Sequence, residues 1–227
     1  MSSNTDPSVI FGKLGFVVLP RFLDLAERAR LRRTCDGVLE CARRSNLETA
    51  HSTPRISLLA GVSDAREEHY CPIIEFASGQ RVCSILRAVT SETRALLELK
   101  ELHYYHEQTK RDWDGDWHRD CQFGHSDPER ERVRFETMMA VHVRVAFEDD
   151  DRLEIVPGSH VRWDTREELG IRRGSDRATA SMPGATRVQL SAGDGCLFHA
   201  WSIHRATYRC APIRRTLDAL YGVVERS

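Results

Sequence analysis

Apolar and polar positions divide the 227-residue chain into two regimes, helical first and strand-like second. "LGFVVLP" (14 to 20) predicts a short β-branched strand stopped by Pro20, and the segment 22 to 44 then carries apolar residues at helical spacing. Residues 46 to 79 read as irregular, broken by Pro54, Gly61 and Pro72, and a helical pattern resumes over 80 to 98. From "ELHYYHEQT" onward the pattern becomes short strand-like runs at 101 to 108, 137 to 147, 152 to 156, 186 to 190, 195 to 199 and 213 to 223. "WDTREELG" (163 to 170) interrupts them with a helical insert that Asp164 or Thr165 can cap. Helices followed by many short strands predict a mainly β, α+β architecture: an antiparallel sandwich or jelly roll with N-terminal helices packed on one sheet.

The length suits one domain spanning 1 to 227, with a helical part over about 20 to 100 and a β core over about 101 to 223. A formal net charge of −1 offers no field to attract nucleic acid or an anionic membrane. No apolar run approaches the length of a bilayer span, and "MSSNTDPSV" lacks the basic start and apolar stretch of a signal peptide, so a cytoplasmic protein is expected. Seven Cys, with no C-x-x-C pair, read as reduced and mostly buried thiols. Oligomeric state is not legible.

"GDWHRDCQFGHSD" (115 to 127) holds two His-x-Asp triplets, His118/Asp120 and His125/Asp127. With ten His and sixteen Asp in the chain, chance predicts roughly 0.7 such triplets, so context must separate them. A face of two His and one carboxylate is the ligand set of non-haem Fe(II) oxygenases, and it needs a third ligand from elsewhere. The strongest source is "GDGCLFHAWSIHRATYRCAPIRRTL" (193 to 217), where His204 ends an apolar run and Arg215 follows eleven residues later.

That segment resembles the C-terminal core of the phytanoyl-CoA dioxygenase family of Fe(II)/2-oxoglutarate-dependent oxygenases. "GFVVLPRFLD" (15 to 24), "WHRD" (117 to 120) and "LEIVPGSHVRWD" (153 to 164) are similar to the same family in the same order. The resemblance implies a double-stranded β-helix (jelly roll, cupin-like), with iron held by His118, Asp120 and His204. It also implies Arg215 pairing the far carboxylate of 2-oxoglutarate, whose decarboxylation to succinate and CO2 with O2 drives hydroxylation of a small organic molecule. Asp120 argues against the halogenase outcome, where this family leaves a small residue so that chloride can bind. Arg119 departs from the Gln common between the two ligands.

Several rivals need weighing. Arg214 competes with Arg215, and because neighbouring strand residues face opposite sides only one points inward; spacing favours Arg215, which leaves Thr216 without an assigned contact. His199 competes with His204, five residues away and so on the other strand face. His103, His106 and His142 lie in predicted strands, where histidines are commonly structural; Tyr104 and His142 are the candidates for keto-acid or substrate contacts. The His125/Asp127 triplet runs into "PERERVR", which reads as a charged loop over the site. "VPGSH" reads as a structural turn, with no G-x-S-x-G around Ser159. Structural zinc lacks paired ligands. A non-catalytic cupin-like binding module and a zinc-dependent hydrolase or isomerase on a jelly roll stay open as alternatives. Residues 46 to 79 and 121 to 136, where a substrate would be selected, carry no readable code.

Overall fold

A computed structural model describes residues 6–44, 55–59, 67–90, 96–106, 111–123 and 127–224. In chain order the elements are α1 (Pro7–Leu14), β1 (Phe16–Leu19), α2 (Leu25–Arg44), β2 (Arg55–Ser57), α3 (Glu67–Ser78), α4 (Gln80–Thr90) and β3 (Leu96–Tyr105). There follow β4 (Trp113–Asp114), α5 (Pro128–Thr137), β5 (Ala140–Ala146), β6 (Asp150–Ile155), α6 (Arg166–Arg173), β7 (Thr186–Leu190), β8 (Gly195–His199), β9 (His204–Tyr208) and β10 (Thr216–Val224). The strands form two antiparallel sheets, β1-β8-β5-β10-β3-β2 and β4-β9-β6-β7. This is the double-stranded β-helix with helices packed on the larger sheet.

The period of two along each strand assigns every side chain to one of two layers. Odd-numbered residues of β5 and β10, Val141, Val143, Val145, Leu217, Ala219 and Tyr221, join Val38, Leu39, Ile73 and Leu86 of the helices in the largest apolar cluster. Ala146, Cys196 and Phe198 point the other way and meet Leu153, Ile155, Val188 and Leu190 of the smaller sheet. His142, Arg144 and Asp218 share this inner face, since Asp218 pairs with Arg144 and His142 pairs with Phe198 across the ladders. Polar residues inside a barrel need partners or a ligand, so these mark where the site lies.

The structure corrects four sequence expectations. α3 lies within the stretch 46 to 79 that read as irregular; Pro72 sits inside it, and Pro in a helix interior is a poor sequence signal for helix. The helix expected over 80 to 98 ends at Thr90, with β3 running from Leu96. The charged segment after His125 is helix α5, with Asp127 accepting from Glu129 N (3.0 Å) as its N-cap and Pro128 at its first turn. α1 was not foreseen; it has the same N-cap and Pro arrangement, and it ends at Gly15 in the left-handed conformation (φ 79°), where a Cβ would stand 2.5 Å from His160 Nδ1.

Helix α6 is the expected insert, and Thr165 caps it. Thr165 Oγ1 accepts from Glu168 N (3.2 Å), while Glu168 accepts from Thr165 N (2.8 Å) and from both Nη atoms of Arg162 (2.6 Å each). Burial opposes ionisation of Glu168, but the Arg162 fork and the cap hold its pKa at about 2, against an ordinary 4.5. A carboxyl with a depressed folded-state pKa stabilises the fold above its unfolded pKa and loses that contribution as pH falls. Glu168→Gln is therefore expected to lower Tm near neutrality and to flatten its decline between about pH 4.5 and 2, as a Tm series across that range would register.

Candidate metal centre

Two backbone segments converge at one end of the inner face. Residues 117 to 122 and 200 to 204 are stitched together by His118 N to His204 O (3.0 Å), His204 N to His118 O (2.9 Å) and Asp120 N to Ala200 O (2.9 Å). The pairing brings one ligand atom each from His118, Asp120 and His204 to within 4.8 Å of one another. His118 Nε2 lies 3.4 Å and His204 Nε2 3.6 Å from Asp120 Oδ1.

The tautomers suit a metal. His118 Nδ1–H donates to Asp116 O (2.7 Å) and His204 Nδ1–H to Ser202 O (2.9 Å), which leaves both Nε2 lone pairs facing Asp120. Burial, reinforced by His118, pulls His204 down to about 3, so it is neutral at physiological pH. Burial opposes ionisation of Asp120, yet the imidazoles of His204, His118 and His142 around it hold it well below the usual carboxylate range. Two imidazoles, each with Nδ1 committed to a backbone carbonyl, and an ionised carboxylate, gathered from two segments, form a ligand face that leaves the opposite side open. The residues present fit a divalent metal ion.

Behind the carboxylate runs a buried relay. Asp120 Oδ2 accepts from His142 Nε2 (2.7 Å), His142 Nδ1 donates to Asp218 Oδ1 (2.6 Å), and Asp218 Oδ2 accepts from Arg144 Nε (2.7 Å). Burial would depress His142, but Asp218 and then Asp120 outweigh it and push its pKa up to about 10, so both ring nitrogens donate. The ring also stacks on Phe198, with centroids 4.3 Å apart.

The arginine pair resolves by parity. Arg215 and Tyr104 stand on the helix-facing side: Tyr104 donates to Asp36 of α2 (2.5 Å), and Arg215 Nη1 donates to Asp36 (3.1 Å) and to Tyr104 Oη (3.3 Å). The preference for Arg215 as the inward member is corrected, and Tyr104 goes with it. Arg214 is the inner residue, 7% exposed, lying over the Tyr105 ring (4.4 Å) with Asp150 Oδ1 3.5 Å from its Nε. None of its three guanidinium nitrogens has a hydrogen-bond acceptor, and neither has the buried Thr216 Oγ1 beside it.

The other described candidates are not part of the metal set. His199 faces away from the metal face and accepts from Trp201 N (3.1 Å) at Nδ1; burial and the neighbouring His160 bring it down to about 3. His103 stands 3.6 Å from Glu101, and His106 is buried on the helix-facing side, where its carbonyl oxygen lies 3.5 Å from Arg215. His125 lies outside the described residues, and its partner Asp127 is committed to capping α5. In "VPGSH", Gly158 adopts φ 74°, and Ser159 Oγ donates to Val156 O (2.7 Å) and accepts from Ile203 N (2.8 Å), next to His204. All seven cysteines are free.

Residues 11–216 match the phytanoyl-CoA dioxygenase (PhyH) family. The chain belongs to that family. No curated protein matches it by sequence. Among solved structures, this PhyH-family chain is similar to EctD from S. alaskensis with bound Fe, at 16% identity and TM-score 0.69, covering all of this chain and 84% of that one. It is also similar to HygX from Streptomyces hygroscopicus with nickel and 2-oxoglutarate bound (16% identity, TM-score 0.68, 98% and 88% covered). A third is the non-heme alpha ketoglutarate dependent epimerase SnoN from nogalamycin biosynthesis (19% identity, TM-score 0.63, 95% and 79% covered). At these identities the likeness is one of fold. No helix among the described residues is long and apolar enough to cross a membrane.

Proposed function

We propose that this PhyH-family protein is a single-domain Fe(II)- and 2-oxoglutarate-dependent oxygenase. It would hydroxylate a small organic molecule and release succinate and CO2. The observation that carries the reading is the inner face of the larger sheet. It holds a metal-competent His118/Asp120/His204 set at one level and, farther along, a buried guanidinium and hydroxyl with no hydrogen-bond partner.

Burying a guanidinium without acceptors is costly, and the cost is relieved when a ligand supplies a carboxylate. Arg214 offers the planar fork that a carboxylate accepts bidentately, and Thr216 Oγ1 adds a donor on the same face. In this reading Arg214, not Arg215, holds the far carboxylate of 2-oxoglutarate. His118, Asp120 and His204 hold the iron, and His142 fixes Asp120 so that its Oδ1 faces the metal. The iron and keto acid, when bound, supply with O2 the oxidant that takes a hydrogen atom from the substrate. The chain's own work is to orient ligands, exclude water from the barrel and present a C–H bond.

A carboxylate at position 120 supports an oxygenase outcome over halogenation. HygX binds 2-oxoglutarate on a similar fold, which supports the co-substrate; SnoN is an epimerase, so hydroxylation here rests on the site and not on the scaffold. A zinc-dependent hydrolase brings no keto acid to Arg214 and Thr216, and a non-catalytic binding module has no need of the intact His118/Asp120/His204 set beside them. Anaerobic Fe(II) and 2-oxoglutarate are expected to produce a keto-acid-to-metal charge-transfer band, and admission of O2 to yield succinate. Absence of both, across a broad substrate panel, would reject the oxygenase reading.

A further inference from the structure

Arg119 sits between two ligands yet points away from the metal, and it has no exposed surface. All five of its N–H groups have acceptors. Nε and Nη2 grip Asp164 Oδ1 (2.8 and 2.7 Å), Nη2 also reaches Arg162 O (3.3 Å), and Nη1 donates to Ser159 O (2.8 Å) and to Trp201 O. Trp201 belongs to the stretch that delivers His204, preceding it by three residues, and Ser159 holds that stretch from the "VPGSH" turn, its Oγ accepting from Ile203 N. The guanidinium thus ties both ligand-bearing segments together from behind, and its plane lies over the rings of Phe135 (4.9 Å) and Trp163 (5.8 Å).

The tie continues outward. Asp164 Oδ2 accepts from Arg172 Nε (3.0 Å), Arg172 Nη2 donates to Glu131 Oε1 (2.9 Å), and Glu131 also meets Arg173, while Arg172 Nη1 reaches Gln122. The side chains of Arg119, Asp164, Arg172 and Glu131 are all 0% exposed. Such a chain is a weak source of net stability, because desolvation offsets its attraction, but it enforces one geometry. Here that geometry is of helices α5 and α6 relative to the metal-ligand segments.

We propose that Arg119 is a positioning residue for the metal centre, and that the buried Arg119–Asp164–Arg172–Glu131 chain makes metal affinity and ligand geometry depend on the docking of α5 and α6. The proposal rests on the reading of His118, Asp120 and His204 as metal ligands. A lysine at 119 keeps the charge but offers three donors from one atom on a flexible stem, against the five that Arg119 spreads over Asp164 and the carbonyls of Ser159, Trp201 and Arg162, so it cannot reproduce the tie. Outer partners of metal ligands typically govern affinity by 10- to 100-fold.

The test is anaerobic Fe(II) titration of the full chain, with the ligand-field spectrum of the Co(II)-loaded protein as a record of geometry. Arg119→Lys and Asp164→Asn are expected to weaken Fe(II) binding by roughly 10- to 100-fold and to alter the Co(II) spectrum. Glu131→Gln, at the far end of the chain, is expected to act in the same direction by about threefold or more. Tyr221→Phe, which removes a buried hydrogen bond to Ala77 O (2.6 Å) elsewhere, is the control: it should lower Tm and leave affinity and spectrum alone. Wild-type affinity and spectrum in both Asp164→Asn and Glu131→Gln would overturn the proposal, whether or not Arg119→Lys folds. Failure of the wild-type protein to bind Fe(II) would instead overturn the metal reading, and this proposal with it.

Discussion

Replacing Asp120 or His204 by alanine is expected to abolish Fe(II) binding and, with it, succinate formation, while the fold persists. Each removes one of three ligand atoms gathered within 4.8 Å, and two protein ligands hold a divalent ion poorly. The Asp120 change is the more severe, because it deletes the one negative ligand and strands the protonated His142, which then has only Asp218 to bond. His118→Ala is expected to behave like His204→Ala, since their Nε2 atoms stand at similar distances from Asp120 Oδ1, 3.4 and 3.6 Å. Asp127→Ala is the discriminating control. It loses a helix cap worth about 1 kcal/mol and should bind iron normally. Calorimetric titration under anaerobic conditions reads all four, and loss of iron in Asp127→Ala with binding intact in Asp120→Ala would reverse the assignment of the two triplets.

Arg214→Leu is expected to weaken 2-oxoglutarate binding by about 30- to 4000-fold, the range for truncating one member of a buried, hydrogen-bonded charge pair at about 2 to 5 kcal/mol. The same variant leaves the buried Asp150 carboxylate, 3.5 Å from Arg214 Nε, without its guanidinium, so Tm without keto acid is expected to fall; Arg214→Lys, which keeps a charge beside Asp150 but lacks the planar fork, is expected to hold Tm closer to wild type and still lose keto-acid affinity. Lost co-substrate affinity with near-wild-type stability in Arg214→Lys is what a binding residue produces and a structural one does not. Arg215→Ala should show the reverse: it forfeits bonds to Asp36 and Tyr104, lowers Tm modestly, and changes keto-acid affinity less than about threefold. Keto-acid loss in Arg215→Ala with Arg214→Leu unaffected would restore the assignment by spacing. The two variants differ by one position, and the period of the strand separates them.

That period was partly legible beforehand. In "RRTLDALYG" the apolar residues Leu217, Ala219 and Tyr221 share the parity of Arg215, whereas Thr216 and Asp218 share that of Arg214. An apolar stripe against helices and a polar stripe toward a site already favour Arg214. Counting eleven residues from His204 overrode this signal, and a one-residue difference in phase places a side chain on the opposite face. "AVHVRVA" carries the same message, with Val141, Val143 and Val145 outward and His142 and Arg144 inward. A cross-strand partner such as Asp218 for His142 cannot be found that way, because the two are 76 residues apart. The helices were missed where local signals disagree: Pro72 suppresses α3, and the density of charge in "PERERVRFET" hides α5, whose buried contact is Glu131.

The sequence by itself determined the change from a helical to a strand-rich half, the jelly-roll class, the His-x-Asp and distant His that resemble an iron site, and the helical insert at α6, since local periodicity and spacing carry that information. Tertiary structure decided which arginine faces the barrel, which carboxylate holds His142, and that Arg119 joins two ligand segments to two helices. Those outcomes depend on strand phase and on contacts between residues far apart in the chain, and neither exists until the sheets close.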